Sequence, residues 1–214
     1  MNKLSTQKRS QILACLVEGM AIRSVERITG FSRNTITKFI SDLGARCFKF
    51  QNKIFNNLPC KRIEVDEIWT FCKMKEKNVP LDRKGELGVG DVYTWVALCP
   101  DTKIVPCYLV GNRDMEHAKA FMEDLASRIK HRIQLTSDGF NAYLDAVDDA
   151  FGSNIDYGML IKHYGGTRTY RDGTVQNCRS TECSSTTKKV INGHPHIKNI
   201  STSLIERQNL TMRM

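Results

Sequence analysis

The strongest constraint on this chain is the order in which strand and helix patterns follow one another after residue 60. Strand-like segments come first, and helix and strand patterns then alternate. The predicted elements, in order, are strands at 61–74, 92–99 and 104–110, a helix at 114–129, a strand at 132–137, a helix at 141–151, a strand at 155–164 and a helix at 203–214. This order predicts a mixed sheet with helices on its faces, an α+β or α/β architecture.

The segment between the last predicted strand and the last predicted helix has a different composition. Residues 165–199 are rich in Gly, Thr, Ser and Lys. We therefore expect a largely irregular insertion there.

The first 60 residues follow the pattern of short amphipathic helices. The predicted helices span 6–18, 22–29, 33–43 and, as a connector closed by Pro59, 45–58. In the second helix, Ile22, Val25 and Ile28 are expected to face inward. Between the second and third helices, Gly30 suits a tight turn because it adopts positive φ freely, and Ser32 is a favoured N-cap.

Two short helices joined by a glycine-containing turn are typical of a DNA-reading helix-turn-helix. In that geometry the early residues of the second helix enter the major groove. The residues at those positions are Arg33, Asn34, Thr37 and Lys38. Each can bond a base edge or a phosphate. The alternative is a three-helix packing unit with a solvated polar face.

The charge of the chain is concentrated at the same end. Residues 1–60 carry ten Lys or Arg and three acids, a net +7 of the total +9. Such asymmetry indicates a polyanion-binding segment on a more neutral body, although a basic solvated surface would give the same count. The longest runs without a charge are nine residues, too short for a membrane span of about 20. Eight scattered cysteines without a close pair favour reduced thiols in a cytoplasmic protein.

Three acids lie at informative places in the predicted order. Asp66 lies inside the first strand, Asp138 follows the fourth, and Glu206 lies in the first turn of the last helix. If the first and fourth strands are neighbours and that helix packs over them, the three carboxylates converge. Carboxylate oxygens suit Mg²⁺ or Mn²⁺, and two such ions about 4 Å apart support phosphodiester chemistry.

Each acid also has a simpler interpretation. Asp66 stands between Glu64 and Glu67 and could belong to an acidic edge strand. Ser-Asp-Gly at 137–139 is a common turn. Glu206 follows Ser203 at capping-box spacing and could cap its own helix.

The segments around these acids carry a family resemblance. VDEIWTF at 65–71, LTSDGFNAYL at 135–144 and STSLIERQNLTMRM at 201–214 resemble the catalytic blocks of bacterial insertion-sequence transposases of the Asp-Asp-Glu class, in particular the insertion-sequence-one family. The resemblance implies a ribonuclease H-like fold in which Asp66, Asp138 and Glu206 bind two divalent metal ions, Mg²⁺ or Mn²⁺. It also implies cleavage at the element's ends and 3′-hydroxyl strand transfer.

The same resemblance implies the partners and the setting of the chain. These would be terminal inverted repeats and target DNA, a homo-oligomer in the DNA complex, and the nucleoid of a bacterial cytoplasm. On the last helix, Asn209 and Arg213 lie three and seven residues beyond Glu206, on the same face, and could contact substrate phosphates.

The expected organisation is a helix-turn-helix domain with its connector at 1–60 and a catalytic domain at 61–214 with an insertion at about 165–199. Members of the family continue past the glutamate helix, so we expect a C-terminally truncated chain. One alternative is therefore an inactive remnant that acts only as a sequence-specific DNA-binding protein. A nuclease or junction resolvase on the same fold is another.

A zinc site in the insertion is a weaker alternative. Its ligands would come from Cys178, Cys183, His194, His196 and His163. These spacings are looser than the usual two-residue cysteine pair.

Overall fold

The computed structural model describes residues 4–170, 172–177 and 179–213, with only the backbone of Arg168 and Arg213. The chain divides into two compact units, one ending at Phe55 and the other spanning Asn56–Arg213. Among the described residues, no helix is long and apolar enough to cross a membrane. No two of the described cysteines form a disulfide.

The N-terminal unit consists of three helices, α1 (Thr6–Val17), α2 (Ile22–Thr29) and α3 (Arg33–Ile54). Their core is formed by Ile12, Val25 and Ile36, each fully buried. As expected, Gly30 ends α2 with φ of 71°, and the Ser32 hydroxyl accepts a hydrogen bond from the Thr35 N–H at the start of α3.

Two expectations for this unit were wrong. The segments 33–43 and 45–58 form one helix that continues to Ile54, because Gly44 alone, at a cost of about 1 kcal/mol, does not interrupt it. Ile28 is 57% exposed rather than inward. A unit of this size has little interior, and the two turns of α2 bury only Val25.

The second unit is built on a six-stranded mixed sheet. Its strands are β1 (Arg62–Cys72), β2 (Gly90–Leu98), β3 (Tyr108–Gly111), β4 (Ile133–Ser137), β5 (Ile155–Tyr164) and β8 (Cys183–Asn192). They lie in the order β3-β2-β1-β4-β5-β8. β2 is antiparallel to both β1 and β3, β1, β4 and β5 are parallel, and β8 is antiparallel to β5. The helices are α4 (Met115–Arg128), α5 (Ala142–Phe151) and α6 (Ser203–Arg213). The predicted mixed sheet with flanking helices is therefore confirmed.

The expectation of an irregular segment at 165–199 was wrong. The short strands β6 (Thr167–Thr169) and β7 (Val175–Asn177) pair with each other, and β8 joins the main sheet. β8 carries Thr186, Thr187, Val190 and Ile191, whose branched side chains favour extended backbone. As an exposed edge strand, β8 tolerates polar residues, and for that reason its sequence lacks the apolar pattern that predicts a strand.

Helices cover both faces of the sheet. On one face, Trp95 of β2 contacts Phe121 of α4 and Tyr143 of α5. On the other face, Ile205 of α6 packs with Ile68 of β1 and neighbouring residues of β2. Burial on both faces explains why the apolar residues of β1 do not keep a single alternation.

Candidate metal centre and active site

The pairing of β1 with β4 brings Asp66 and Asp138 together. These parallel strands pair Glu64 with Thr136; Asp66 lies two residues further along β1, and Asp138 lies two residues beyond Thr136, just past the end of β4. Because neighbouring strands are about 4.8 Å apart, this register brings the two aspartates close together at the carboxyl end of β4. One carboxylate oxygen from each of Asp66, Glu67 and Asp138 lies within 4.8 Å of the others.

A cleft of about 610 Å³ opens over this cluster. Asp66, Asp138, Glu206 and Asn209 all line it, together with Lys162. The sheet supplies Asp66, Asp138 and Lys162, while α6 supplies Glu206 and Asn209. The five residues come from four separate parts of the sequence and meet only in the folded chain.

Glu206 lines the same cleft as the aspartates, and its charge contributes to the raised pKa of Asp66. Among the described residues, it is not one of the acids whose oxygens lie within 4.8 Å of one another. Its Oε1 accepts a hydrogen bond from Lys162 Nζ at 2.6 Å and another from the Thr202 hydroxyl. The capping-box alternative is not observed, because the Ser203 N–H donates to Ser201 Oγ instead.

The surroundings of Asp66 favour its protonated form. Burial raises the pKa of Asp66 to about 6, and the nearby charge of Asp138 adds to the effect. Asn209 opposes it, because its Nδ2 donates a 2.9 Å hydrogen bond to Asp66 Oδ2 and stabilises the carboxylate. A pKa this far above the usual aspartate value is typical of acids grouped for metal binding or catalysis.

Glu67 belongs to the acidic cluster, although its place in the sequence predicts only membership of an acidic edge strand. Its side chain is 4% exposed, and Arg113 Nε donates to its Oε2 at 3.0 Å. Arg113 also approaches Asp138 at 3.6 Å and stacks over the ring of Phe140. Burial raises the pKa of Glu67, and Arg113 opposes the shift. The only sequence signal was the position of Glu67 next to Asp66.

The donor set of the cluster fits a hard divalent cation. Its oxygens come from carboxylates, which Mg²⁺ and Mn²⁺ prefer. Among the described residues, the buried Asn209 Oδ1 has no hydrogen-bond partner, and Glu67 Oε1 has none at hydrogen-bond geometry, although the Tyr143 hydroxyl lies near enough to lower the Glu67 pKa. Like charges and unpaired acceptors in one place are costly without a cation. The cluster could therefore hold a divalent metal ion.

The remaining predicted site residues lie elsewhere or inside the protein. Arg33, Asn34, Thr37 and Lys38 are all exposed at the start of α3. Arg33 pairs with Glu26 at 3.4 Å and Lys38 with Asp42 at 3.9 Å. Asn209 is buried and bonded to Asp66, although it also lines the cleft. The side chain of Arg213 lies outside the described residues.

The described residues do not gather a zinc site. Cys178 lies outside them. His163 bonds Thr187 at 2.9 Å, and Cys183 donates to the Ser185 carbonyl. Neither belongs to the one group of potential metal ligands found in the described part of the chain.

Comparison with known proteins gives similarity to solved structures only. No protein-family model and no curated protein matches the chain. One similar structure is the piggyBac transposase synaptic complex with hairpin DNA, at 10% identity and a TM-score of 0.40 over 80% of this chain and 45% of that one. Another is the Mos1 Strand Transfer Complex, at 13% identity and a TM-score of 0.31 over 73% and 59%.

The Mos1 mariner paired end complex with Mn is similar at 12% identity and a TM-score of 0.31, over 73% and 60% of the two chains. This chain thus spans 45% to 60% of the length of these structures. Similarity of this extent assigns neither a family nor a function.

Proposed function

We propose that this chain is a DNA transposase of the insertion-sequence-one family, which cleaves DNA at the ends of a bacterial element and joins the 3′-hydroxyl to target DNA. The observation that carries the proposal is the meeting of Asp66, Asp138 and Glu206 in one cleft. The strand order, with an antiparallel β1–β3 followed by parallel β4 and β5, supports a ribonuclease H-like domain. The protein would act in the cytoplasm, at the nucleoid, as a homo-oligomer on DNA.

The residues of the cleft have distinct roles in this proposal. Asp66 and Asp138 hold divalent cations, Mg²⁺ or Mn²⁺, and Glu206 completes the donor set. Two bound ions would activate the attacking oxygen and offset charge on the leaving oxygen. Lys162, whose side chain is only partly exposed, binds a phosphate oxygen of the DNA that enters the cleft. Asn209 orients the Asp66 carboxylate through its hydrogen bond.

The N-terminal unit would recognise the terminal inverted repeats as a helix-turn-helix. The early residues of α3 are exposed, and the ion pairs of Arg33 and Lys38 lie at the surface. Exposed pairs contribute at most about 1 kcal/mol, so DNA phosphates can replace the acids. In this proposal Arg33 and Asn34 read bases, while Thr37 and Lys38 contact the backbone.

A second candidate function is sequence-specific DNA binding without catalysis. One observation favours it: Glu206 pairs with Lys162 and stands apart from the aspartate cluster. If that pair persists when DNA and metal are present, the donor set stays incomplete. The chain would then occupy the element's ends without cutting them.

A cleavage and strand-transfer assay on DNA from the regions flanking the gene distinguishes the candidates. The wild-type chain is compared with Asp138→Asn and with the matched control Asp148→Asn, an exposed aspartate of α5, in Mg²⁺, in Mn²⁺ and in EDTA. A transposase gives metal-dependent cleavage and joining, which Asp138→Asn abolishes and Asp148→Asn leaves unchanged.

The other outcomes identify the alternatives. Cleavage without joining indicates a nuclease or resolvase. Specific binding of the flanking DNA, with no cleavage in either metal, indicates the non-catalytic protein. Activity that persists in Asp138→Asn would contradict the proposed centre.

A further inference from the structure

The first turn of α6 is fixed by a side chain of the sheet. Glu64 of β1 is buried, with 4% exposure, and its Oε2 accepts hydrogen bonds from the N–H groups of Leu204 and Ile205 at 3.1 and 2.9 Å. These bonds join residues 140 and 141 positions apart in the sequence. A carboxylate at a helix N-terminus is also stabilised by the helix dipole.

The other N–H groups of that turn are paired as well. The Ser203 N–H donates to Ser201 Oγ at 3.2 Å, and the Glu206 N–H donates to the Thr202 carbonyl at 3.0 Å. The first four N–H groups of a helix usually need partners from outside it. Glu64 supplies the partner of two of these groups and Ser201 that of a third, and the Glu206 N–H makes the first bond within the helix, so the Glu206 side chain is not needed as their cap and its carboxylate lines the cleft.

A second bond fixes α6 one turn later. Asn209 lies four residues beyond Ile205 and bonds Asp66, which lies two residues beyond Glu64. Four helical residues rise about 6 Å and two strand residues about 6.6 Å. The two attachments are therefore about equally far apart along the helix and along the strand. Glu206 lies between these attachments on α6. Ile205, fully buried against Ile68, fills the space beneath them.

We infer that Glu64 is a positioning residue for the candidate metal centre: its bonds to the first turn of α6 set where the Glu206 carboxylate stands relative to Asp66 and Asp138. The inference rests on the proposed function, because it assigns Glu206 to the donor set. Glu64 itself does not line the cleft. Its effect on metal binding passes through α6.

Three variants of the full chain test this inference. Glu64→Gln keeps a carbonyl oxygen that can accept both N–H bonds. Glu64→Ala removes the acceptor, and Glu64→Asp keeps the charge but shortens the side chain by one methylene. Glu123→Ala, at an exposed position of α4, is the matched control.

Two measurements on each variant are needed. Calorimetry gives the Mn²⁺ affinity, and hydrogen exchange gives the protection of the amides of residues 203–206. We expect Glu64→Ala and Glu64→Asp to weaken Mn²⁺ binding roughly 10-fold to 100-fold, the usual effect of losing a residue that orients a ligand. We expect faster exchange in the first turn of α6, with Glu64→Gln close to the wild type in both measurements.

The outcomes separate this inference from the proposed function. If the wild-type chain binds no Mn²⁺, the proposed centre fails, while exchange in residues 203–206 still decides whether Glu64 fixes the helix. If the wild type binds Mn²⁺ and the folded Glu64→Asp or Glu64→Ala chain binds it equally well, Glu64 has only a structural role and the inference is wrong. Unchanged exchange in those variants would also overturn it.

Discussion

Asn209 Nδ2 donates a hydrogen bond to Asp66 Oδ2 at 2.9 Å, so α6 meets the aspartate pair through an amide rather than a charge. This bond stabilises the charged form of Asp66 and lowers a pKa that burial and Asp138 raise. We expect Asn209→Ala to raise the Asp66 pKa above its value of about 6. Thr211→Ala, at an exposed position of α6, should leave it unchanged. An NMR titration of the carboxyl carbon measures both, and an unaltered pKa in Asn209→Ala would contradict the role given to the amide.

The raised pKa of Asp66 also predicts a pH-dependent stability. The folded chain holds this proton with a pKa of about 6, whereas the usual aspartate value is 3.8. The proton therefore stabilises the fold fully below about pH 4, and this contribution is lost as the pH rises through about 6. Loss of the proton leaves a buried carboxylate charge, and Asp66→Asn has no such charge at any pH. At pH 7.5 without divalent metal, we expect Asp66→Asn to have a higher melting temperature than the wild type. The increase should be roughly 2–4 °C for each 1 kcal/mol gained in the free energy of unfolding.

The same variant has built-in controls. At pH 4 the wild-type carboxyl is protonated, so the advantage of Asp66→Asn should vanish. Mn²⁺ should raise the melting temperature of the wild type but not that of Asp66→Asn, because only a folded chain that binds the ion is stabilised by it. Asp148→Asn should behave as the wild type throughout. Destabilisation by Asp66→Asn at pH 7.5 would argue against repulsion within the cluster.

The position of Asp66 and Asp138 was predictable because each stands at a defined place in a strand pattern. Their meeting required that β1 and β4 be neighbours, which was a condition of the prediction and which the parallel pairing of the two strands confirms. The partners of Glu67 and Glu64 were not predictable in the same way. The role of Glu64 depends on backbone N–H groups 140 residues away, and that of Glu67 depends on where Arg113 falls after β3. No local spacing carries that information.

The errors in the fold also have physical causes. β8 was missed because an exposed edge strand needs no apolar alternation. Ile28 was placed inside because its helical spacing from Val25 suited a buried stripe, but α2 is too short to bury it. Whether the N-terminal helices read DNA depends on contacts that the fold alone does not contain. That part stays a prediction.

Arg113 should matter for stability more than its partial exposure suggests. It is the hydrogen-bond partner of Glu67 Oε2, and the Glu67 side chain is almost fully buried. Removing one partner leaves a buried charge unpaired, which costs roughly 1–3 kcal/mol or more. We expect Arg113→Ala to lower the free energy of unfolding by that amount in urea titrations at pH 7.5. Glu67→Gln in the same chain should recover part of the loss, and full stability of Arg113→Ala alone would show that the pair is not needed.

The helix-turn-helix proposal predicts different effects for neighbouring residues of α3. Asn34→Ala should reduce discrimination between the specific and a scrambled DNA site, because base contacts carry sequence information. Lys38→Ala should weaken binding to both sites equally, because a phosphate contact is independent of sequence. Lys77→Ala, an exposed lysine in the second unit, is the charge-matched control. Fluorescence anisotropy with both DNAs measures these effects, and equal losses for Asn34→Ala and Lys38→Ala would contradict base reading.

Lys162 provides a test of the cleft that does not require catalysis. Its ammonium group lies 2.6 Å from Glu206 Oε1, and both side chains are partly exposed. If Lys162 binds a DNA phosphate, Lys162→Ala should reduce the slope of log affinity against log salt by about one. Lys189→Ala, on the exposed edge strand β8, is the control and should change the slope less. The same substitution removes the cation that pairs with Glu206.

Mn²⁺ binding to Lys162→Ala therefore separates the two functions considered for the chain. Tighter binding in the absence of DNA would mean that Lys162 competes with the metal for Glu206 and that DNA must draw it away. Unchanged metal affinity with a reduced salt slope would assign Lys162 to the DNA alone. If neither the slope nor the affinity changes, Lys162 neither binds DNA phosphate nor competes with the metal, and the Lys162–Glu206 pair is only a structural contact.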